Sequence, residues 1–237
     1  MKKRLKINGV IIFLGFLSVV IFPSVFFRHT CLSVDFWDEV AEIFGITFIL
    51  LGQIFRVSAR GFKAEHSEEG KALVQTGPYG LVRNPMYLGI FLIGLGVVLM
   101  LFKWWVLAIF LVVFIIWYIP LMRMEEAKLT QLFPGTYTAY CKEVRHRFIP
   151  ALEDIFNKDI SDYLSLRWVW IKKEIGSILA LLLVTFLAES WQDITTEGIF
   201  SYLHELTGMF IVVVFFIGIL FYLNKKTKAL SHDSNKG

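Results

Sequence analysis

The sequence predicts an all-α integral membrane protein with about six transmembrane helices, a cytosolic amphipathic segment and both termini in the cytosol. Three observations carry that prediction. Of 237 residues, 56% are hydrophobic and 16% aromatic, too apolar for an ordinary soluble domain. Apolar runs recur at the length a spanning helix needs, roughly 17–25 residues. The basic residues also fall on one side. With the N-terminus in the cytosol and six alternating spans, only Arg28 and Lys103 of the 24 lysines and arginines lie outside, a positive-inside pattern.

Each element follows in order. "MKKRLK" precedes an apolar run over residues 7–27, which is long for a signal peptide and lacks a small-x-small cleavage pattern. It reads as an uncleaved first span. Residues 37–55 form the second span, and residues 58–84 a cytosolic connection. Residues 86–102 and 104–122 form a tight hairpin of two further spans. Residues 123–150, "RMEEAKLTQLFPGTYTAYCKEVRHRFIP", are amphipathic and cytosolic. Residues 151–173 are interfacial, with Trp168 and Trp170 beside Lys172 and Lys173 in the headgroup layer. Spans at residues 176–188 and 206–223 complete the chain. They flank an acidic outer loop bearing Glu189, Asp193, Glu197 and Glu205.

Some classes are disfavoured. The net charge of +4 reports membrane orientation rather than nucleic-acid binding. Cys31 falls outside and Cys141 inside, so no disulfide joins them. His29, His66, His146, His204 and His232 have no ligand spacing with cysteine or carboxylate, so no metal is expected.

The chemistry concentrates around "GPYGLVRNPMYLG", residues 77–89. Asn84 is a favoured N-cap residue and Pro85 is favoured at the first helical position. Arg83 thus stands at the positive end of a membrane helix, where free N–H groups and a guanidinium together suit an anion. Tyr87 lies one turn further on the same face. The third span has 17 residues, about 26 Å at 1.5 Å per residue, and the fourth returns over a similar length. Glu125 and Glu126, just beyond that return, come back level with Arg83 and Asn84. Ionisable groups at a membrane face are candidate functional sites. Between them, Gly89, Gly94 and Gly96 let a helix or a ligand approach the backbone closely. Taken singly, each feature has a bland reading. Arg83 could snorkel, the two glutamates could be a solvated helix end, the glycines could serve helix packing, and Tyr137 and Tyr140 could belong to an aromatic belt. Their conjunction is what points to a site.

That conjunction resembles the integral-membrane isoprenylcysteine carboxyl methyltransferase and phospholipid methyltransferase group. The usual pattern there is a Gly-Pro-Tyr turn, Val-Arg-His-Pro-x-Tyr-x-Gly, a Gly-x-Gly within the helix, a Glu-Glu pair, a Phe-Gly-x-x-Tyr-x-x-Tyr stretch and a closing Arg-Phe-Ile-Pro. The resemblance is good over residues 71–150 and loose over 37–70. It implies S-adenosyl-L-methionine as methyl donor, bound at the cytosolic mouth by Arg83, Asn84, Tyr87, Gly94, Gly96, Glu125, Glu126, Tyr137 and Tyr140. Arg83, Glu126 and Arg147 are the implied catalytic set, with Arg147 orienting an anionic acceptor group. It divides the chain into an N-terminal hairpin (1–57), a methyltransferase core (58–150) and an interfacial segment with a C-terminal pair of spans (151–237). The implied acceptor is a lipophilic or lipidated molecule in the bilayer of a plasma, inner or endoplasmic reticulum membrane. Two departures stand out. Asn84 occupies the family's histidine position, and asparagine carries no titratable proton. Gly135 lies one place off the usual pattern. Sterol-type double-bond reductases, which use NADPH, share a related core, but with Gly-Trp-Trp in place of Gly-Pro-Tyr. A non-catalytic membrane paralogue is the third reading.

Overall fold

A computed structural model describes residues 23–27, 36–67, 72–150, 163–174 and 214–227, with isolated positions between 176 and 211. The described elements are helical. They are α1 (Pro23–Phe26), α2 (Phe36–His66), α3 (Pro78–Leu81), α4 (Pro85–Leu101), α5 (Trp104–Leu132) and α6 (Thr136–Glu143). By length and composition, two helical stretches, Val40–His66 and Trp104–Leu132, can cross a membrane; Pro85–Leu101 is a shorter apolar helix. The expected span at 7–27 is described only in its last residues, and those at 176–188 and 206–223 lie largely outside the described residues.

α2 is the central post. Ile46, Ile49, Leu50, Gln53, Ile54, Val57 and Ser58 are all buried along it. It runs eleven residues past the expected end at residue 55, to His66. Those extra turns are held from several sides: Ser58 Oγ donates to Ser165 O (2.7 Å), Trp170 Nε1 donates to Glu65 Oε1 (2.7 Å), and Arg167 pairs with Glu65 (2.8 Å).

α2 and α4 meet backbone to backbone. Gly45 and Gly52 on α2 face Gly96 and Gly89 on α4. A Cβ on Gly52 would lie 2.6 Å from Gly89 O, and one on Gly96 would lie 2.4 Å from Gly45 O. Both pairs are seven residues apart, so the contact repeats on one face of each helix. Such an approach gains dispersion contacts where lipid tails leave no hydrophobic drive between helices.

α5 differs. It packs only loosely on α4, and Ile109, Val112, Val113, Ile115, Ile116 and Trp117 are exposed, as befits a face turned to lipid. Pro120 lies inside it and removes the hydrogen bond to the carbonyl four residues back. The helix continues ten residues beyond the expected end at residue 122, so Glu125 and Glu126 lie within it rather than after it. The α4–α5 turn is as tight as expected. Lys103 N donates to Phe26 O (2.9 Å), and the Phe27 and Phe102 rings stack at 4.9 Å.

Trp170, expected in the interfacial layer, has its ring buried against α2, over Gly61, where a Cβ would come within 2.1 Å of it. Trp168 packs edge-on against Phe221 at 5.1 Å. Leu166 N donates to Thr227 Oγ1 (3.0 Å), tying the 214–227 helix to the same post.

Candidate functional site

Asn84 sits at the N-cap position of α4, as the Asn-Pro pair predicts, but its side chain makes no capping bond. Nδ2 donates instead to Glu126 Oε1 (3.1 Å) and to Arg147 O (3.2 Å). The backbone N–H groups expected to receive an anion are largely taken. Arg83 N donates to His146 O (3.0 Å) and Asn84 N to Arg147 O (2.8 Å), while Tyr87 N and Leu88 N donate to Asn84 O. The closing segment 144–148 lies across the start of α4 and uses the donors that sequence reasoning reserved for a ligand.

Glu126 is buried, and everything near it compensates its charge. Arg147 Nε bonds both carboxylate oxygens (3.1 Å each), Arg147 Nη2 approaches Oε2 at 2.9 Å, and Arg83 Nη1 lies 3.8 Å from Oε1. A buried carboxylate is tolerated only with such partners. Glu126 is therefore the node that joins α5, the start of α4 and the closing segment. Glu125, its neighbour, is exposed and accepts a hydrogen bond from Tyr87 Oη (2.8 Å).

Arg83 is the least satisfied member. Its Nη1 donates to the Cys141 sulfur (3.2 Å), its Nη2 reaches Arg145 O at 3.5 Å, and its buried Nε has no partner among the described residues. Burial pulls its pKa down, but the Cys141 sulfur and the Glu126 carboxylate outweigh this, and the net shift is upward. Arg83 stays cationic. Around it, α6 contributes buried Tyr137 and Tyr140. Tyr140 Oη donates to Tyr79 O (2.7 Å). Burial raises all three phenols; the charge of Glu125 adds to it at Tyr79, that of Glu126 at Tyr137, and Tyr137 itself at Tyr140. Gly135 precedes α6 with φ +84° and open space around it, which explains a glycine at that place in the turn.

Between α4 and α5 lies a packed cluster of rings. Tyr87 meets Tyr118 at 5.7 Å; Phe91 meets Phe110 and Phe114; Phe148 from the closing segment packs on Phe91 at 5.9 Å and on Phe114 at 5.8 Å. Gly94 packs against this cluster, where a Cβ would meet the Phe110 ring at 2.5 Å. Gly96 faces the other way, into the α2 crossing. The two glycines of Gly-x-Gly are thus divided between ring cluster and helix contact. Arg83, Asn84, Tyr87, Glu125, Glu126, Tyr137, Tyr140 and Arg147 gather around the start of α4; Gly94 lies further along that helix. Sequence reasoning missed Cys141, Tyr79 and Phe148. Cys141 lies four residues after Tyr137, a spacing that places both on one helix face.

This arrangement offers one exposed carboxylate, one guanidinium and a packed aromatic cluster beside them. It suits a ligand that carries both a cationic or hydroxyl group and a carboxylate.

The phospholipid methyltransferase family pattern matches residues 40–136. The chain is also 31% identical over 116 residues to the protein-S-isoprenylcysteine O-methyltransferase of Saccharomyces cerevisiae, a match covering 45% of this chain and 48% of that protein. The chain therefore spans about half the length of the curated relative it matches. No solved structure matches it significantly.

Proposed function

We propose, from the similarity of residues 40–136 to the phospholipid methyltransferase family, that this protein transfers a methyl group from S-adenosyl-L-methionine to a lipophilic acceptor in the membrane. The observation that supports the reading is the gathering, at the start of α4, of the exposed Glu125 carboxylate, bonded by Tyr87, and the Arg83 guanidinium, beside Glu126. Glu125 takes the donor's ammonium or ribose hydroxyls, and Arg83 takes its carboxylate. When bound, the donor supplies an activated methyl on a sulfonium, so neither metal nor strong base is needed. The chain's task is alignment and exclusion of water. Glu126 acts as a positioning residue, because its oxygens already hold Arg147, Asn84 and Arg83. Arg147, a third exposed, orients an anionic acceptor group. The acceptor's apolar portion lies against the aromatic cluster between α4 and α5, approached from the lipid-facing side of α5. The mouth faces the cytosol, on the side where the basic residues gather.

Binding of labelled donor to the purified, detergent-solubilised protein tests this. The donor is expected to bind, and Glu125→Gln to weaken it by roughly tenfold, about 1.4 kcal/mol. NADPH binding without donor binding would establish the reductase reading instead. Binding of neither would establish the non-catalytic one. Incubating membranes with labelled donor then shows whether label enters lipid, protein or a volatile product.

A further inference from the structure

We propose that Cys141 is a positioning residue for the Arg83 guanidinium, and that through Arg83 it sets the site's preference for a donor with a free carboxylate. The inference rests on the methyl-transfer reading, in which Arg83 receives that carboxylate.

The starting observation is how the charges of the site are shared. Glu126 is taken chiefly by Arg147, whose Nε bonds both carboxylate oxygens at 3.1 Å and whose Nη2 approaches Oε2 at 2.9 Å. Arg83 stands further off, 3.8 Å from Oε1, which is beyond hydrogen-bond distance. The Cys141 sulfur is nearer, 3.2 Å from Arg83 Nη1. Arg83 Nη2 lies at the exposed edge of the site and reaches Arg145 O at 3.5 Å, a weak contact. One end of the guanidinium is therefore held, and the other is open to a ligand.

The kind of atom that holds it matters. A thiol sulfur is a weak acceptor, so it directs the guanidinium without cancelling its charge. A carboxylate in that place would form a charge-assisted pair, as Glu126 does with Arg147, and would compete with an incoming anion. Cys141 is itself fixed. It lies four residues after Tyr137 on one face of α6, and the Tyr137 hydroxyl is hydrogen-bonded to the same sulfur. It packs against Tyr137, Tyr140 and Val144, and Tyr140 is tied to Tyr79 O at 2.7 Å. α6 thus sets the place of the sulfur, and the sulfur sets the aim of Arg83. Packing alone would make Cys141 an ordinary core residue, whose loss weakens every ligand alike.

The test compares two ligands on the purified full-length protein in detergent. One is S-adenosyl-L-methionine. The other is its decarboxylated analogue, which keeps the ammonium, the sulfonium and the nucleoside. The wild type is expected to prefer the carboxylate-bearing donor by roughly tenfold, the size of one hydrogen bond to a charged group. Cys141→Ala is expected to weaken the donor about fivefold while moving the analogue by less than about twofold. Cys141→Ser keeps an acceptor at that place and should recover most of the preference. Cys141→Asp should abolish it, with binding of the analogue retained. Lys142→Gln, an exposed neighbour on α6, should leave it unchanged. Unfolding midpoints show which variants are folded; where Cys141→Ala is not, the serine and aspartate variants make the same comparison. Equal losses for both ligands in Cys141→Ala would show a packing role and overturn the proposal. Unchanged donor binding in Cys141→Ala overturns it too, as does a preference that Cys141→Ser fails to recover. Wild-type binding of both ligands alike also overturns it, and leaves methyl transfer standing. Binding of neither ligand by the wild type removes the methyl-transfer reading and this inference with it.

Discussion

Asn84 shows how a residue can hold its expected place and do different work there. It marks the start of α4, yet its amide spends both protons on Glu126 and Arg147 O. Removing it leaves a buried carboxylate with one donor fewer, at a cost of about 1–3 kcal/mol. Asn84→Asp is worse, because it sets a second negative charge against Glu126. Unfolding midpoints and donor affinity are expected to fall in the order wild type, Asn84→Ala, Asn84→Asp. Tyr140 gives a prediction with a pH sign. Its folded pKa is raised, as are those of Tyr79 and Tyr137. Their contribution is therefore complete below the ordinary phenol value, about 10, and is lost as pH rises above it. Alkaline titration of the unfolding midpoint should show a decline starting near pH 10. Tyr140→Phe should cost about 1 kcal/mol for its bond to Tyr79 O and make that decline shallower.

Among the elements, the α2–α4 crossing and the α4–α5 ring cluster differ in how strongly they resist added bulk. At Gly89 a Cβ meets backbone atoms, Gly52 O at 2.7 Å and Arg56 N at 2.9 Å, which do not move without the helices moving. Gly89→Val is expected to cost 3 kcal/mol or more, at the upper end of overpacking effects of roughly 1–3 kcal/mol. At Gly94 the obstacle is the edge of the Phe110 ring. Gly94→Ala should therefore cost under about 1.5 kcal/mol while displacing the Phe110 ring; unfolding and donor binding measured together separate the two effects. Much of this was legible in the sequence. The Asn-Pro start, the tight turn after Phe102 and the return of the two glutamates to Arg83 follow from helix geometry and apolar run length. The continuation of α2 to His66 and of α5 to Leu132 was not. Both extensions are polar turns held by tertiary partners, Trp170 and Ser165 on one and Arg147 and Asn84 on the other, and an apolar-run criterion ends where the apolar residues end. The burial of Gln53 was equally hidden, because one amide within an apolar run leaves the pattern of the span unchanged.

Across the molecule, the described residues 163–174 and 214–227, beyond the family match, are fastened to its centre rather than appended. Trp170 is the main fastening, buried on Gly61 with its Nε1 donating to Glu65. Trp170→Ala is expected to destabilise the whole fold by about 3–5 kcal/mol, read as a lower unfolding midpoint of the full chain. It should weaken donor binding only in proportion to the loss of folded protein.

The seat of Glu125 and Glu126 inside α5, with no loop between them and the membrane stretch, turns that helix into a ruler. One residue inserted anywhere between the Lys103 turn and Met124 would advance both carboxylates by about 1.5 Å and swing them through about 100°, carrying Glu126 away from Arg147 and Glu125 away from Tyr87. No flexible joint downstream could restore the register. Over time, this span is therefore free to change the identity of its lipid-facing residues but not their number, and any tolerated change of length must come in steps close to whole turns.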